Sequence, residues 1–275
     1  MGLTITTRNA RFQQWHALLG NRTKRHRAGE FIVQGVRPIS LAARYGWEFS
    51  ALLHRRGKGG GPEGLGGGRS TALSDWALGM LNDIDTLHVA MADELLAELA
   101  EHDEAPELVA VVRQRPDEIG RIRPDLVVVF DRPASPGNLG TLIRSADAFG
   151  ASGVVVIGHA ADIYDPRTIR ASTGSLFALP VIRLDRYPEK IKTKLVGLDE
   201  RGEVELAEVD LRGPTALAVG NEARGLSVAL REACQVLARI PIGGGASSLN
   251  ASSAATVALY EAARQRSKAA ARVGS

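Results

Sequence analysis

Six residues in the second half of the sequence, Asn138, Arg144, Asn221, Glu222, Ser248 and Asn250, are of types that grip and orient a polar ligand. They fall in three separated glycine-rich segments, PGNLGTLIRSADAFG (136–150), AVGNEARGLS (218–227) and IPIGGGASSLNASSAATVALYEAARQR (240–266). An arginine offers a planar fork that can hold a phosphate by two parallel hydrogen bonds. Because it stays protonated to about pH 12, it serves as a clamp and not as a base. The amides, the carboxylate and the hydroxyl supply polar groups around such a clamp, and the glycines permit tight turns or close approach of a ligand to backbone.

Those residues need elements to place them. Each segment follows a short apolar run and leads into a helical pattern, so each reads as a loop at the carboxyl end of a strand, the edge where open α/β sheets bind ligands. The runs LVVVF, GVVVIG, LPVIRL, KLVGLD, ALAVG and QVLARIPI predict buried parallel strands. In the first segment Asn138 is expected to cap the helix LGTLIRSADAFG. Leu139, Leu142, Ile143, Ala146 and Phe149 share one helix face, and Arg144 lies off that stripe. In the second, Gly220 suits close ligand approach or merely a tight turn, and Gly225 suits a turn. In the third, Ile240 and Ile242 flank Pro241, Gly243 to Gly245 form a permissive loop, and Ser248 and Asn250 are good caps for the last helix.

In this order and spacing, the three segments resemble the motifs of the SpoU (TrmH-like) branch of the SPOUT RNA methyltransferases. The stretch 9–53 resembles the family's L30e-like RNA-binding extension, so the likeness is nearly full length. The phrases NARFQQW, LLGNR, RPISLA and STGSLF look like those of members that methylate 23S ribosomal RNA and confer resistance to antibiotics such as avilamycin. The resemblance implies an L30e-like α/β domain over 1–118 and a SPOUT catalytic domain over 119–275, with a parallel sheet and a deep trefoil knot. It implies methyl transfer from S-adenosylmethionine to a ribose 2′-hydroxyl, with no metal. Catalytic roles are carried over to Asn138, Arg144, Glu222, Ser248 and Asn250. Cofactor contacts are carried over to Val219, Gly220, Asn221, Gly225, Ile240, Ile242 and Leu249. It further implies a homodimer paired through the catalytic domain, for which Ala254, Ala255, Ala258, Ala262 and Ala263 suit close helix contact. Two departures stand out: Gln34-Gly35 replaces a common Glu-Gly, and Ala251-Ser252-Ser253 replaces a valine-rich turn. Neither removes a catalytic group.

Composition frames the same reading independently. At 275 residues, 44% hydrophobic and 24% charged, the chain has the make-up of a globular protein able to bury a core, as two domains or one large one. No run approaches the ~20 apolar residues of a membrane span, and MGLTITTRNARF lacks a secretory apolar core, so a cytoplasmic protein is expected. The single cysteine, Cys234, excludes an internal disulfide and a cysteine-based zinc cluster, and reads as a small core residue.

The net charge of +3 is small, but its distribution is uneven. Arg8, Arg11, Arg22, Lys24, Arg25, Arg27, Arg37, Arg44, Arg55, Arg56 and Lys58 face only Glu30 and Glu48 in the same stretch. Such a block attracts phosphates, and Arg8, Arg11, Arg22, Lys24, Arg25, Arg27 and Arg37 are the expected RNA contacts. His16, His26, Trp15 and Trp47 are candidate stacking surfaces, with Trp47 favoured as core. The residues 21–30 read as a polar loop, and GKGGGPEGLGGG (57–68) as a mobile excursion. A dehydrogenase is unsupported, since no G-x-G-x-x-G joins a first strand to a helix. A transfer-RNA methyltransferase and a non-catalytic ribosome-assembly factor remain as alternatives.

Overall fold

The structure, a computed structural model, describes residues 3–56, 73–101, 103–188 and 191–273. The glycine-rich excursion at 57–68 lies outside them. The chain divides into two compact units, Met1–Arg115 with Tyr164–Pro166, and Pro116–Ile163 with Arg167–Ser275.

The first unit runs β1 (Leu3–Ile5), α1 (Ala10–Gly20), α2 (Arg22–Ala28), β2 (Glu30–Gln34), α3 (Val36–Arg44), β3 (Phe49–Arg55), α4 (Asp75–Asp83), β4 (Leu87–Met91), α5 (Asp93–Ala100) and β5 (Leu108–Arg113). Its sheet has the order β1-β4-β3-β5-β2, with β5 antiparallel to both neighbours. Asn9 starts α1 by accepting the N–H of Phe12 at 3.0 Å.

The segment expected as a polar loop after α1 is instead the short helix α2. Asn21 caps it by accepting the N–H of Lys24 at 3.0 Å, and Gly29 closes it at φ 65°. Hydrophobic periodicity cannot reveal this helix, because the side chain it buries is an arginine. Arg25, expected on the RNA-facing surface, is only 2% exposed. Its Nη1 donates to the carbonyls of Leu18 at 2.7 Å and Leu19 at 3.0 Å, and Nη2 lies 3.7 Å from the Asp165 carboxylate. A cation at the carboxyl end of α1 satisfies carbonyls that the helix leaves open. Trp15 and Trp47 are both buried, so neither offers a stacking face. The strand β1 escapes the sequence reading because it has only three residues, and β4 because His88 interrupts its short apolar run.

The second unit contains β6 (Leu126–Asp131), α6 (Pro136–Ala148), β7 (Gly153–Ile157), α7 (Pro166–Ser172), α8 (Ser175–Ala178), β8 (Val181–Leu184), β9 (Lys194–Leu198), β10 (Val204–Glu205), β11 (Thr215–Val219), α9 (Val228–Ala233), β12 (Val236–Arg239) and α10 (Ala251–Val273). Its sheet is parallel throughout, in the order β10-β12-β9-β11-β6-β7-β8. The α/β architecture read from the apolar runs is therefore the one observed. Val127, Val129, Val155, Ile157, Ile182, Leu195, Ala216 and Ala218 form a core on one face. The alternate residues Val128, Phe130, Val154 and Val156 are equally buried, as a strand covered on both faces requires.

On this unit α10 packs along α6 and β11. Ala255, Ala258 and Ala262 are buried there, so the alanine face expected to suit a dimer contact is largely consumed inside the protomer. The strand read through QVLARIPI stops at Arg239, which frees Ile240 to Ile242 as loop. Because all seven strands run the same way, the loops after β6, β9, β11 and β12 emerge along one sheet edge.

Candidate active site

The helix α6 begins earlier than its apolar pattern suggests. Ser135 is the cap, accepting the N–H of Asn138 at 3.3 Å, and Pro136 fills the first turn where no N–H is needed. Asn138 is therefore inside the first turn and does not cap. Its side chain is free for another task.

Asn138 joins the three segments. Its Nδ2 donates to Glu222 Oε1 at 3.0 Å, and its Oδ1 accepts from Asn250 Nδ2 at 3.1 Å. Glu222 also accepts the N–H groups of Ala134 at 3.0 Å and Ser135 at 3.2 Å. Partial burial works against a charge on Glu222. The N–H of Ala134, the Asn138 amide and the N–H of Ser135 nevertheless hold its carboxyl below the ordinary glutamate value, so it is ionised at neutral pH. Asn250 has two roles at once: its Oδ1 accepts from the Ser252 N–H at 2.9 Å and hydroxyl at 2.6 Å, capping α10, while its amide nitrogen reaches Asn138.

The loop between β11 and α9 is drawn into a tight ring. Asn221 N donates to Gly225 O at 3.0 Å, and Gly225 N donates to Asn221 O at 2.9 Å, with Gly225 at φ 65°. A Cβ on Gly220 would overlap the backbone of Gly225 and Leu226. The glycine is thus required by the chain's own turn, the plainer of its two sequence readings.

Next to this ring lies a cleft of about 470 Å³. All seven expected cofactor residues, Val219, Gly220, Asn221, Gly225, Ile240, Ile242 and Leu249, line it, together with Glu222 and Ser248. Its volume is that of a small-molecule site. Apolar Ile240, Ile242 and Leu249 suit a planar ring system, and the backbone of 219–226 offers polar groups for the rest of a nucleoside. The cleft also takes in Asp199, Glu200, Arg201 and Arg231, which the sequence reading missed. The signal was present, since Asp199 follows the strand KLVGL at the same sheet edge.

Arg144 stands apart from these groups. It is exposed on α6, and its side chain has no hydrogen bond or ion pair to any described residue. Asn138, Glu222 and Asn250 are brought together by direct bonds; Ser248 joins them through the cleft wall; Arg144 shares only the helix of Asn138.

Residues 125–260 match the SpoU rRNA Methylase family, and residues 9–110 match the SpoU L30e-like domain. A 23S rRNA (uridine(2479)-2′-O)-methyltransferase of Streptomyces viridochromogenes is 51% identical over 277 residues, covering 95% of this chain and 92% of that protein. Among solved structures, the SpoU methyltransferase AviRb from the same organism, in complex with the cofactor AdoMet, superimposes with a TM-score of 0.84 at 50% identity, covering 94% of this chain and 98% of that one. An AdoMet-bound rRNA methyltransferase from Sinorhizobium meliloti gives a TM-score of 0.82 at 28% identity, covering 95% and 97%.

Proposed function

Because the chain belongs to the SpoU rRNA methylase family, we propose that it methylates a ribose 2′-hydroxyl in 23S ribosomal RNA, using S-adenosylmethionine. The single observation that carries this reading is the bonded chain Asn250–Asn138–Glu222, which draws three distant segments together beside the cleft. The direct test is to map 2′-O-methylation on 23S ribosomal RNA after incubation with the protein and cofactor. One modified ribose is expected; modification of transfer RNA alone would replace the substrate, and none at all would defeat the reading.

In this reading Val219, Gly220, Asn221, Gly225, Ile240, Ile242 and Leu249 hold the cofactor, and Ser248 with the Asn250–Asn138–Glu222 chain shapes the place where the ribose enters. When bound, S-adenosylmethionine supplies an electrophilic methyl group on a sulfonium. The chain's own contribution is placement, which can remove several kcal/mol of barrier when a nucleophile is held at near-attack distance. Arg144 grips the target phosphate through its fork. Glu222, already ionised, keeps the Asn138 amide turned so that its carbonyl faces Asn250. The family's trefoil knot and its cytoplasmic setting belong to the same proposal, as does protection against a ribosome-targeting antibiotic such as avilamycin.

The first unit supplies RNA affinity. Arg11, Lys24 and Arg27 are exposed, as are Arg37 and Arg8, the last in an ion pair with Glu98 at 2.8 Å; Arg22 is half-buried, its Nε 3.3 Å from His26 Nε2. Replacing Arg11, Lys24 and Arg27 together by alanine is expected to lower the slope of log affinity against log salt by about two, since each phosphate contact contributes ~0.7–0.9. Arg25→Ala should leave that slope unchanged and lower the melting temperature instead. Salt-titrated binding of a 23S fragment reads both; an undiminished slope in the triple variant would move the RNA surface elsewhere.

A homodimer through the catalytic unit is part of the proposal. With the alanine face consumed, the exposed apolar side chains of α10 become its natural seat: Tyr260 at 57% exposure, edge-on to Phe149 at 6.0 Å, and Val257 at 41%. Sedimentation is expected to give a dimer for the parent protein and a monomer for Tyr260→Glu. A fully active parent monomer would contradict it.

A further inference from the structure

Arg132 carries a left-handed backbone, φ 52°, directly after the last residue of β6. Non-glycine residues avoid that region because Cβ crowds the carbonyl. In an extended strand, neighbouring side chains point to opposite faces. The left-handed turn breaks this alternation and folds the Arg132 side chain back onto its predecessor, Asp131. Asp131 is only 1% exposed. Its carboxylate accepts Arg132 Nε at 2.9 Å and Nη2 at 3.2 Å, a fork-to-carboxylate pair, and also the N–H of Ser227 at 2.6 Å.

The same pair grips the ring between β11 and α9 at two further points. Arg132 Nη2 donates to the carbonyl of Gly225 at 3.2 Å, and the carbonyl of Arg132 accepts from Asn221 Nδ2 at 2.7 Å. Asn221, Gly225 and Ser227 are thus all tied to two consecutive residues at the end of the neighbouring strand, Asp131 within it and Arg132 just beyond it. Asn221 and Gly225 line the cleft; Arg132 and Asp131 do not. A buried carboxylate must be compensated, and here the compensation doubles as the fastening of the cofactor loop.

We infer that Arg132 is a positioning residue for the cofactor, setting the shape of the 220–226 wall through its clasp with Asp131. This rests on the reading of the cleft as the S-adenosylmethionine site. Glycine adopts the left-handed backbone without strain, so Arg132→Gly separates the two roles that the arginine combines. Titration calorimetry with S-adenosylmethionine, paired with thermal unfolding, is the test. Arg132→Gly is expected to fold with a lowered melting temperature, because the Asp131 carboxylate loses its partner, and to bind the cofactor at least about tenfold more weakly at a temperature well below that transition. Arg132→Lys, which keeps the charge but loses the fork, should fall between the two. In steady-state assays, KM for the cofactor should rise while KM for RNA does not. Cofactor affinity within twofold of the parent in folded Arg132→Gly would overturn the inference. So would a loss of affinity that disappears when binding is measured well below the melting transition, or a failure of both variants to fold, since either marks a purely structural role. A parent protein that binds no S-adenosylmethionine would instead defeat the underlying reading of the cleft.

Discussion

Arg144→Lys is expected to fold and to bind S-adenosylmethionine like the parent protein, yet to lose at least about a hundredfold in methyl transfer, on the order of 2.7 kcal/mol of transition-state stabilisation. The structure sharpens the reason. The Arg144 side chain is exposed and makes no hydrogen bond or ion pair with any described residue, so its removal costs the fold little. Its value lies in what it grips when RNA arrives. Lysine keeps the charge but presents a single rotatable ammonium, which cannot reproduce two parallel bonds to a phosphate. Single-turnover methylation of a 23S ribosomal RNA fragment measures the effect directly. A near-normal rate in the lysine variant would reduce Arg144 to a general positive charge and leave the chemistry of the first segment to Asn138.

Gly220→Ala is expected to weaken S-adenosylmethionine binding by more than about a hundredfold. A bulky replacement would block ligand approach, but the geometry makes a stronger demand. Even a methyl group at position 220 overlaps the backbone of Gly225 and Leu226, and backbone cannot swing aside as a side chain can. The ring closed by the Asn221–Gly225 pair must open, and with it goes the wall that carries Asn221 and Gly225 into the cleft. Overpacking of this kind costs about 1–3 kcal/mol, which a protein of this size can absorb while remaining folded. Calorimetry on the folded variant decides. Unchanged affinity would place the cofactor outside this cleft.

What the sequence by itself determined follows from local patterns. The parallel sheet of the second unit was legible because strands buried on both faces must be apolar along their whole length, and LVVVF, GVVVIG and ALAVG are. The family was legible because three glycine-rich strand ends in fixed order form a specific pattern, and the comparisons agree with it. The residues of the cleft wall were legible for the same reason, since strand ends of a parallel sheet share one edge.

Only the tertiary structure decided what each polar group does, because the partner a polar side chain finds leaves no trace in apolar spacing. Asn138 looked like a cap, but Ser135 takes that task, leaving the asparagine to connect Glu222 and Asn250. Arg25 looked like one more cation in a basic stretch, yet it is buried at the end of α1, and α2 stayed hidden because an arginine fills the place of its apolar stripe. The alanines of α10 promised a subunit contact and were spent on α6 and β11. The Asp131–Arg132 clasp had no signature at all, since it depends on one left-handed residue that turns two neighbours toward each other. Apolar periodicity records which face is buried; it is silent on which donor meets which acceptor, and that pairing, set when distant strands come together, makes the site.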